Sequence, residues 1–164
     1  MIELRDFIHD DAQTLQRLAN NPKVSRYLVD IFPYPYTDTD AEWWITTGSK
    51  QGITKVILHN GEFVGSVAAV RRTHEQRHMA SVGYWLGEPF WGQGIAATAL
   101  QQLTEEVFAT TDIQKLSAGV FSPNTASMRV LEKAGYHREA ILKKAILKPE
   151  GLLDEHIFVR FRDM

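Results

Sequence analysis

SVGYWLGEPFWGQGIAATALQQL, residues 81–103, decides the fold because its hydrophobic pattern changes period in the middle. The apolar run that enters it from Met79 reads as a strand ending near Leu86, and a loop containing Gly87 and Pro89 follows. Gly92 and Gly94 then stand where a helix opens, and Ala96, Leu100, Leu103 and Val107 recur on one face of that helix, with Gln101, Gln102, Glu105 and Glu106 facing water. Glycines at such an entrance let the chain turn tightly, while the helix start leaves backbone N–H donors unpaired at the positive end of the dipole. The result is a seat for an anion. The first two turns hold no lysine or arginine, so main-chain amides would be the donors, which suits a pyrophosphate better than a carboxylate that needs a salt bridge. Taken alone, Gly-x-Gly is equally a plain helix-entry turn.

Working outward, KLSAGV (115–120) is a strand, and Ser122-Pro123 reads as a cap with proline in the first helical turn. Ala126, Val130, Leu131 and Ala134 give that helix a buried stripe until Gly135 stops it, and two last strands, 136–147 and 154–161, flank Pro149-Glu150-Gly151. Upstream, IELRDF (2–7) is a short strand. Ala12, Leu15, Leu18 and Ala19 have helical spacing behind the plausible caps Asp10 and Asp11, and Asn20-Asn21-Pro22 ends that helix. A short helix through Val24, Tyr27 and Leu28 leads into DIFPYPYTDTD (30–40), an ordered loop whose Phe32, Tyr34 and Tyr36 form either a lid over the core or the wall of a substrate pocket. A helix from Thr37 or Asp38 carries Ala41, Trp44 and Ile45 inward as far as Gly48. TKVILH (54–59) and FVGSVAAV (63–70) flank Asn60-Gly61, a strong hairpin signal, and a polar connector, 71–78, precedes the strand from Met79. A meander followed by strand, helix, strand, helix, strand predicts an α+β fold, a mixed sheet with a central antiparallel meander and helices on both faces, as one domain over residues 1–164.

With 164 residues the chain can bury roughly 70% of its unfolded surface without a staple. It has no cysteine, which excludes disulfides, thiolate metal sites and an acyl-cysteine route. A formal charge of -2 supplies no bulk field for nucleic acid or anionic membrane. No run of 18 apolar residues occurs, and the acids of MIELRDFIHDD stand where a signal peptide needs bases, so a cytoplasmic protein is expected.

Two standard phosphate motifs do not fit. GEPFWGQG lacks the lysine and hydroxyl of a P-loop, and a dinucleotide fingerprint starting at Gly92 would end on Ala97 but follows the fourth strand instead of the first. WGQGIAATAL (91–100) instead resembles the acetyl-coenzyme A signature of the GNAT N-acetyltransferases, in the form found in the ribosomal-protein N-terminal acetyltransferases of the RimJ and RimL kind. Gly94 and Ala96 match the last motif positions, and Trp91 stands where many relatives have Arg or Gln. NTASMRVLEKAGY (124–136) matches a second hallmark through Asn124, Ser127, Leu131, Gly135 and Tyr136, and the likeness extends over essentially the whole chain. The resemblance implies a parallel strand pair that splays to admit pantetheine. It places Tyr84, Trp85 and Leu86 beside pantetheine, Gly92, Gln93, Gly94, Ile95, Ala96 and Ala97 with Trp91 around the pyrophosphate, and Asn124 at the cofactor arm. Acetyl-coenzyme A would be the cosubstrate, without a metal. The partner would be an amine-bearing acceptor: a protein N-terminus, a polyamine, an aminoglycoside or an amino acid. A homodimer is open, and so is a chain that binds coenzyme A without turnover.

Direct transfer needs donors on the thioester oxygen, here backbone amides near Trp85 and Leu86, an acid for the thiolate and a route for the amine's proton. The resemblance gives Ser127 the acid's place, one turn after Asn124; a small residue permitting close helix approach is the other reading. Relatives supply a carboxylate base at two positions that are Ser81 and Ile146 in this chain, and neither accepts a proton at neutral pH. His74, His78, Glu139, Asp154, Glu155, His156 or a water chain remain, with no single indispensable base expected. His74 and His78 lack the glutamate and third ligand of a zinc motif. Asp30, Asp38, Asp40 and Glu42 give the first loop an acidic edge that would attract an amine. Arg138, Lys143, Lys144 and Lys148 either meet the adenosine 3'-phosphate or face solvent.

Overall fold

In the computed structural model, residues 1–163 are described; Met164, the last residue of the expected domain, lies outside them. The chain runs β1 (Ile2–Arg5), α1 (Ala12–Ala19), α2 (Pro22–Ser25), α3 (Asp38–Thr46), β2 (Ile53–His59), β3 (Glu62–Arg71), β4 (Met79–Leu86), α4 (Ile95–Thr110), β5 (Lys115–Phe121), α5 (Thr125–Lys133), β6 (His137–Lys148) and β7 (Gly151–Phe161). The strands form one sheet in the order β1-β2-β3-β4-β5-β7-β6. All neighbours are antiparallel except β4 and β5. That is the mixed sheet with a central meander that the sequence predicts.

The parallel pair is short. Only residues 79–81 pair with 115–117; beyond Ser81 and Ser117 the ladder stops while both strands continue, so they diverge. The splay expected from the resemblance is present. On one face α4 and α5 pack on the sheet through Leu100, Leu103, Val107, Leu116, Leu131 and Phe158, all essentially inaccessible. Truncating such a leucine to alanine typically costs about 2–5 kcal/mol, so this layer holds the splayed strands in place. On the other face α1 and α3 cover the β2–β3 end through Leu15, Leu18, Ala41, Ile45, Val56 and Phe63. That second layer reaches Trp85; further along the same side Gly119 is exposed, while Ser117, Phe121 and Val159 are buried and Lys148, held by Asp30, lies over the Phe121 ring.

Local departures from expectation have identifiable causes. The first strand stops at Arg5, because Phe7 is buried against Trp44 and Phe63 instead of pairing. Asp11 precedes α1 without capping it; its carboxylate takes two bonds from Arg5, both 2.8 Å, and one from the Ile8 amide. The cap of α5 is Asn124, whose Oδ1 accepts from the Ser127 amide at 3.2 Å. Ser122 is bound to β7 through the Asp154 amide, which takes it away from the helix it was expected to cap. The buried stripe of α5 accordingly runs through Met128 and Leu131, and Ala126 is exposed. Tyr27 and Leu28 lie beyond the short α2.

Candidate active site

Gly94 is the N-cap of α4 with φ 75°, and Gly92 has φ 77°. Both are left-handed conformations that cost an L-residue about 1–2 kcal/mol, so the entrance expected at Gly92 is a two-glycine turn with the helix itself beginning at Ile95. A Cβ built on either glycine would meet nothing within 4 Å, so the turn faces open space. Thr98 is the first residue whose amide is tied back, to the Gly94 carbonyl at 3.3 Å. Among the described residues no protein acceptor meets the N–H groups of residues 92–97, which include those of Gln93, Ile95, Ala96 and Ala97. The first turn carries no acid. Glu88, the one carboxylate in the preceding loop, is held by Asn21 at 2.9 Å and Lys23 at 3.1 Å, which keep it below the ordinary carboxylate range. A pyrophosphate fits this cradle: free amides, a positive dipole, room where side chains would stand, and the nearest negative charge already paired.

Trp91 fastens the same loop to the end of β4 by donating its indole N–H to the Leu86 carbonyl, 2.9 Å. Backbone alternation determines what else β4 offers. Gly87 donates to Val64 at 2.8 Å and Arg72 donates to Met79 at 2.9 Å, so the odd-numbered residues of β4 bond to β3. The Trp85 amide is therefore spent on the ladder opposite Ser66. Tyr84 and Leu86 turn their amides toward β5, where the splay leaves them without a strand to pair with. The donor pair expected near Trp85 and Leu86 is thus corrected to Tyr84 and Leu86.

Ser127, on the first turn of α5, meets the Tyr84 hydroxyl through its Oγ, and the same hydroxyl donates to the Ser127 carbonyl at 3.0 Å. Burial pushes the Tyr84 phenol up to about 12, with the Ser127 bond pulling the other way, so it stays a neutral donor at any physiological pH. The sequence marks Tyr84 for its backbone alone; the tyrosine ring as a bridge from β4 to α5 has no local signature. Asn124 has its Oδ1 occupied by the cap, while its Nδ2 has no partner among the described residues.

The loop over the other face packs on the core, the first of its two readings. Tyr36 is buried as part of the core, Tyr34 is exposed, and Phe32 reaches Trp85 with ring centroids 6.0 Å apart. Its acidic edge is largely consumed: Asp30 pairs with Lys148 at 2.8 Å, Asp40 caps α3 with Thr37, and Glu42 stands 3.5 Å from His9. Lys148 and Lys143 are structural too, each bound to an acid, and all four of these basic residues lie on β6, an edge strand separated from β4 by β5 and β7. Among the candidate bases, Glu139 is tied to Lys115 and Asp154 to Lys143. His74 and His78 lie just before β4, at the end where it is still paired with β5, away from the splay. No group of three metal-ligating side chains occurs among the described residues, and no helix is long and apolar enough to cross a membrane.

Comparison with known proteins bears directly on this arrangement. Residues 2–137 match the family described as Acetyltransferase (GNAT) domain. The chain belongs to that family. Among other GNAT relatives it is 33% identical over 93 residues to the Probable N-acetyltransferase YjcK of Bacillus subtilis (strain 168), covering 57% of this chain and 51% of that protein. It is 25% identical to the Uncharacterized N-acetyltransferase p20 of Bacillus licheniformis, over 96% of this chain and 90% of that one. The GNAT fold here superposes on RimL, a ribosomal L7/L12 alpha-N-protein acetyltransferase in complex with coenzyme A, with a TM-score of 0.85 and 22% identity, over 98% of this chain and 93% of RimL.

Proposed function

We propose that this acetyltransferase moves an acetyl group from acetyl-coenzyme A directly to the α-amine of a peptide or protein N-terminus. The observation that carries the donor half is the row of unpartnered amides at residues 92–97, next to the open half of the β4–β5 pair. In this reading the row holds the pyrophosphate, and Trp91 keeps its loop on β4. Pantetheine lies along Tyr84, Trp85 and Leu86, with the free amides of Tyr84 and Leu86 available to the thioester oxygen. The Asn124 carboxamide donates to the cofactor arm, and the Ser127 hydroxyl, backed by Tyr84, donates to the departing sulfur. No metal enters this chemistry. A homodimer and a cytoplasmic site of action belong to the same proposal.

The acceptor half is supported by proton chemistry. At pH 7 about a tenth of an α-amine with pKa near 8 is already neutral, whereas an alkylamine near 10.4 is almost wholly charged. With Ser81 and Ile146 at the two positions where the family usually keeps a carboxylate, the site favours the amine that asks least of whatever base serves it, the first. RimL, whose fold this chain shares, is named for acetylating a protein α-amine.

The test is acetyl transfer at saturating acetyl-coenzyme A to an amidated hexapeptide with a free N-terminal serine and, in parallel, to spermidine, read by mass spectrometry. Faster acetylation of the peptide is expected. Faster acetylation of spermidine would sink the α-amine reading, and coenzyme A binding without transfer to either would leave a binding protein in its place.

A further inference from the structure

Beside Trp85, on the same face of the sheet, stand two exposed glycines and one carboxylate. Ser81 pairs with Ser117, so Gly83 and Gly119, each two residues further on, occupy corresponding places on the two strands as they diverge. Alternation puts both on the same face as Trp85, and both are exposed. Glycine within a strand commonly marks close approach of another group. At Gly83 that space is open, since a Cβ there would meet nothing within 4 Å. At Gly119 the group is Glu155, whose carboxylate lies against the place where a Cβ would stand. Glu155 reaches this point because it pairs with Phe121 across β5 and β7, which turns its side chain to the splay face, while Asp154 and His156 point to the other.

Glu155 also differs from its neighbours in charge pairing. Asp30 is bound to Lys148, Glu139 to Lys115, Glu150 to Arg26 and Asp154 to Lys143. Glu155 has neither ion pair nor hydrogen bond among the described residues, although it is partly buried; Lys148, over the ring of its cross-strand partner Phe121, is bound to Asp30 instead. At Ser81, where a relative would carry glutamate, the neighbouring group is cationic: Arg72 donates its Nε–H to the Ser81 hydroxyl at 2.9 Å. The carboxylate of this cleft is therefore displaced from β4 to the far side of the splay.

We propose that Glu155 receives the ammonium of the acceptor and takes its proton, resting on the reading above that the acceptor is an amine. One proton passes from R–NH3⁺ to the Glu155 carboxylate and on to solvent. The freed lone pair forms the N–C bond at the thioester carbonyl, the C–S bond breaks with its electrons on sulfur, and the second nitrogen proton balances the thiolate. The sum is an N-acetyl amine, coenzyme A thiol and one proton. This departs from the sequence-based expectation of no single base, because the expectation rested on positions along β4 and β6 and could not see which acid the sheet leaves unpaired.

The test uses the full chain with saturating acetyl-coenzyme A and three amines: the N-terminal hexapeptide, spermidine and glycinamide. On whichever amine is acetylated fastest, Glu155→Gln is expected to lower kcat/KM at neutral pH by roughly 10²-fold, with the deficit shrinking as pH rises toward the pKa of the amine. Glu155→Asp should recover part of the loss, and calorimetric affinity for coenzyme A should not change. A kcat/KM within about threefold of the parent, a deficit independent of pH, or an equal loss of coenzyme A affinity would each overturn the assignment. If spermidine outruns the peptide, the α-amine reading fails while Glu155 is judged on spermidine. If none of the three is acetylated although coenzyme A binds, both fail.

Discussion

The two sides of the splayed strands are built in different ways. On the proposed donor side, residues 84–97 form one continuous piece of chain that would work through backbone amides, and its requirements are left-handed turns at Gly92 and Gly94 and a helix that starts at Ile95. On the proposed acceptor side the surface would come from Phe32, Trp85, Gly119 and Glu155, four separate segments held together by sheet register and one aromatic contact. A backbone site tolerates side-chain change but not loss of its dihedral angles. A side-chain site depends on every segment that brings a group to it.

Gly119→Val should separate the two sides with the largest effect. Its branched side chain would occupy the place of the Glu155 carboxylate, and because misplacement by about 1 Å can cost roughly 10²-fold in rate, transfer is expected to fall by about that factor. Calorimetric affinity for coenzyme A should stay within about twofold. Equal loss of both would mean that the sides are not independent. Gly83→Ala is the matched control: it enters open space on the facing strand and should keep the fold, as read by thermal melting.

Gly94→Val attacks the donor side. It sets a branched side chain against the anion seat and forces an L-residue into φ 75°, so coenzyme A affinity is expected to fall at least about tenfold, or 1.4 kcal/mol. The same strain should lower stability by about 1–2 kcal/mol, so affinity is measured where melting shows the variant folded. Unchanged affinity would remove the pyrophosphate from this turn.

Ser127→Ala should reduce turnover by about tenfold and leave coenzyme A affinity nearly intact, since help to a leaving group is felt in the transition state. A variant that lost binding and kept turnover at saturation would reverse that role. Tyr84 provides a pH signature for the same pair. Its folded pKa is raised to about 12, so its contribution to stability is complete below the unfolded value of 10.0 and is lost as pH rises through the folded one. Chemical denaturation between pH 9 and 12 should show that decline, and Tyr84→Phe should flatten it; Tyr36 and Tyr136, also raised by burial, supply the remainder.

The smallest expected effect is at the aromatic wall. Phe32→Ala removes the contact with Trp85 and should raise KM for the acceptor by about threefold to tenfold, with kcat and coenzyme A affinity little changed, the pattern of lost uniform binding. A fall in kcat alone would place Phe32 over the core and not along the acceptor.

The order of strands and helices, the two-glycine helix entrance and the family hallmarks were all legible in the sequence, because each depends on local rules: apolar period, glycine at a left-handed position and unpaired amides at a helix start. The same local rules misplaced the cap of α5, since Ser122 has the right chemistry but its hydroxyl is claimed by Asp154 from a strand thirty-two residues away. They likewise made the loop acids an attractive edge, and Lys148 neutralises one of them from β6. What tertiary structure alone decided is which acid stands unpaired beside the splayed strands. Six candidate bases look alike along the chain, and the strand in KLSAGV gives no hint of what its glycine admits. Sheet register selects Glu155 by turning it onto Gly119, and the pairing of every neighbouring acid leaves its charge free. Backbone chemistry repeats wherever the local sequence does, whereas charge pairing and side-chain approach depend on which distant segments the fold brings into contact.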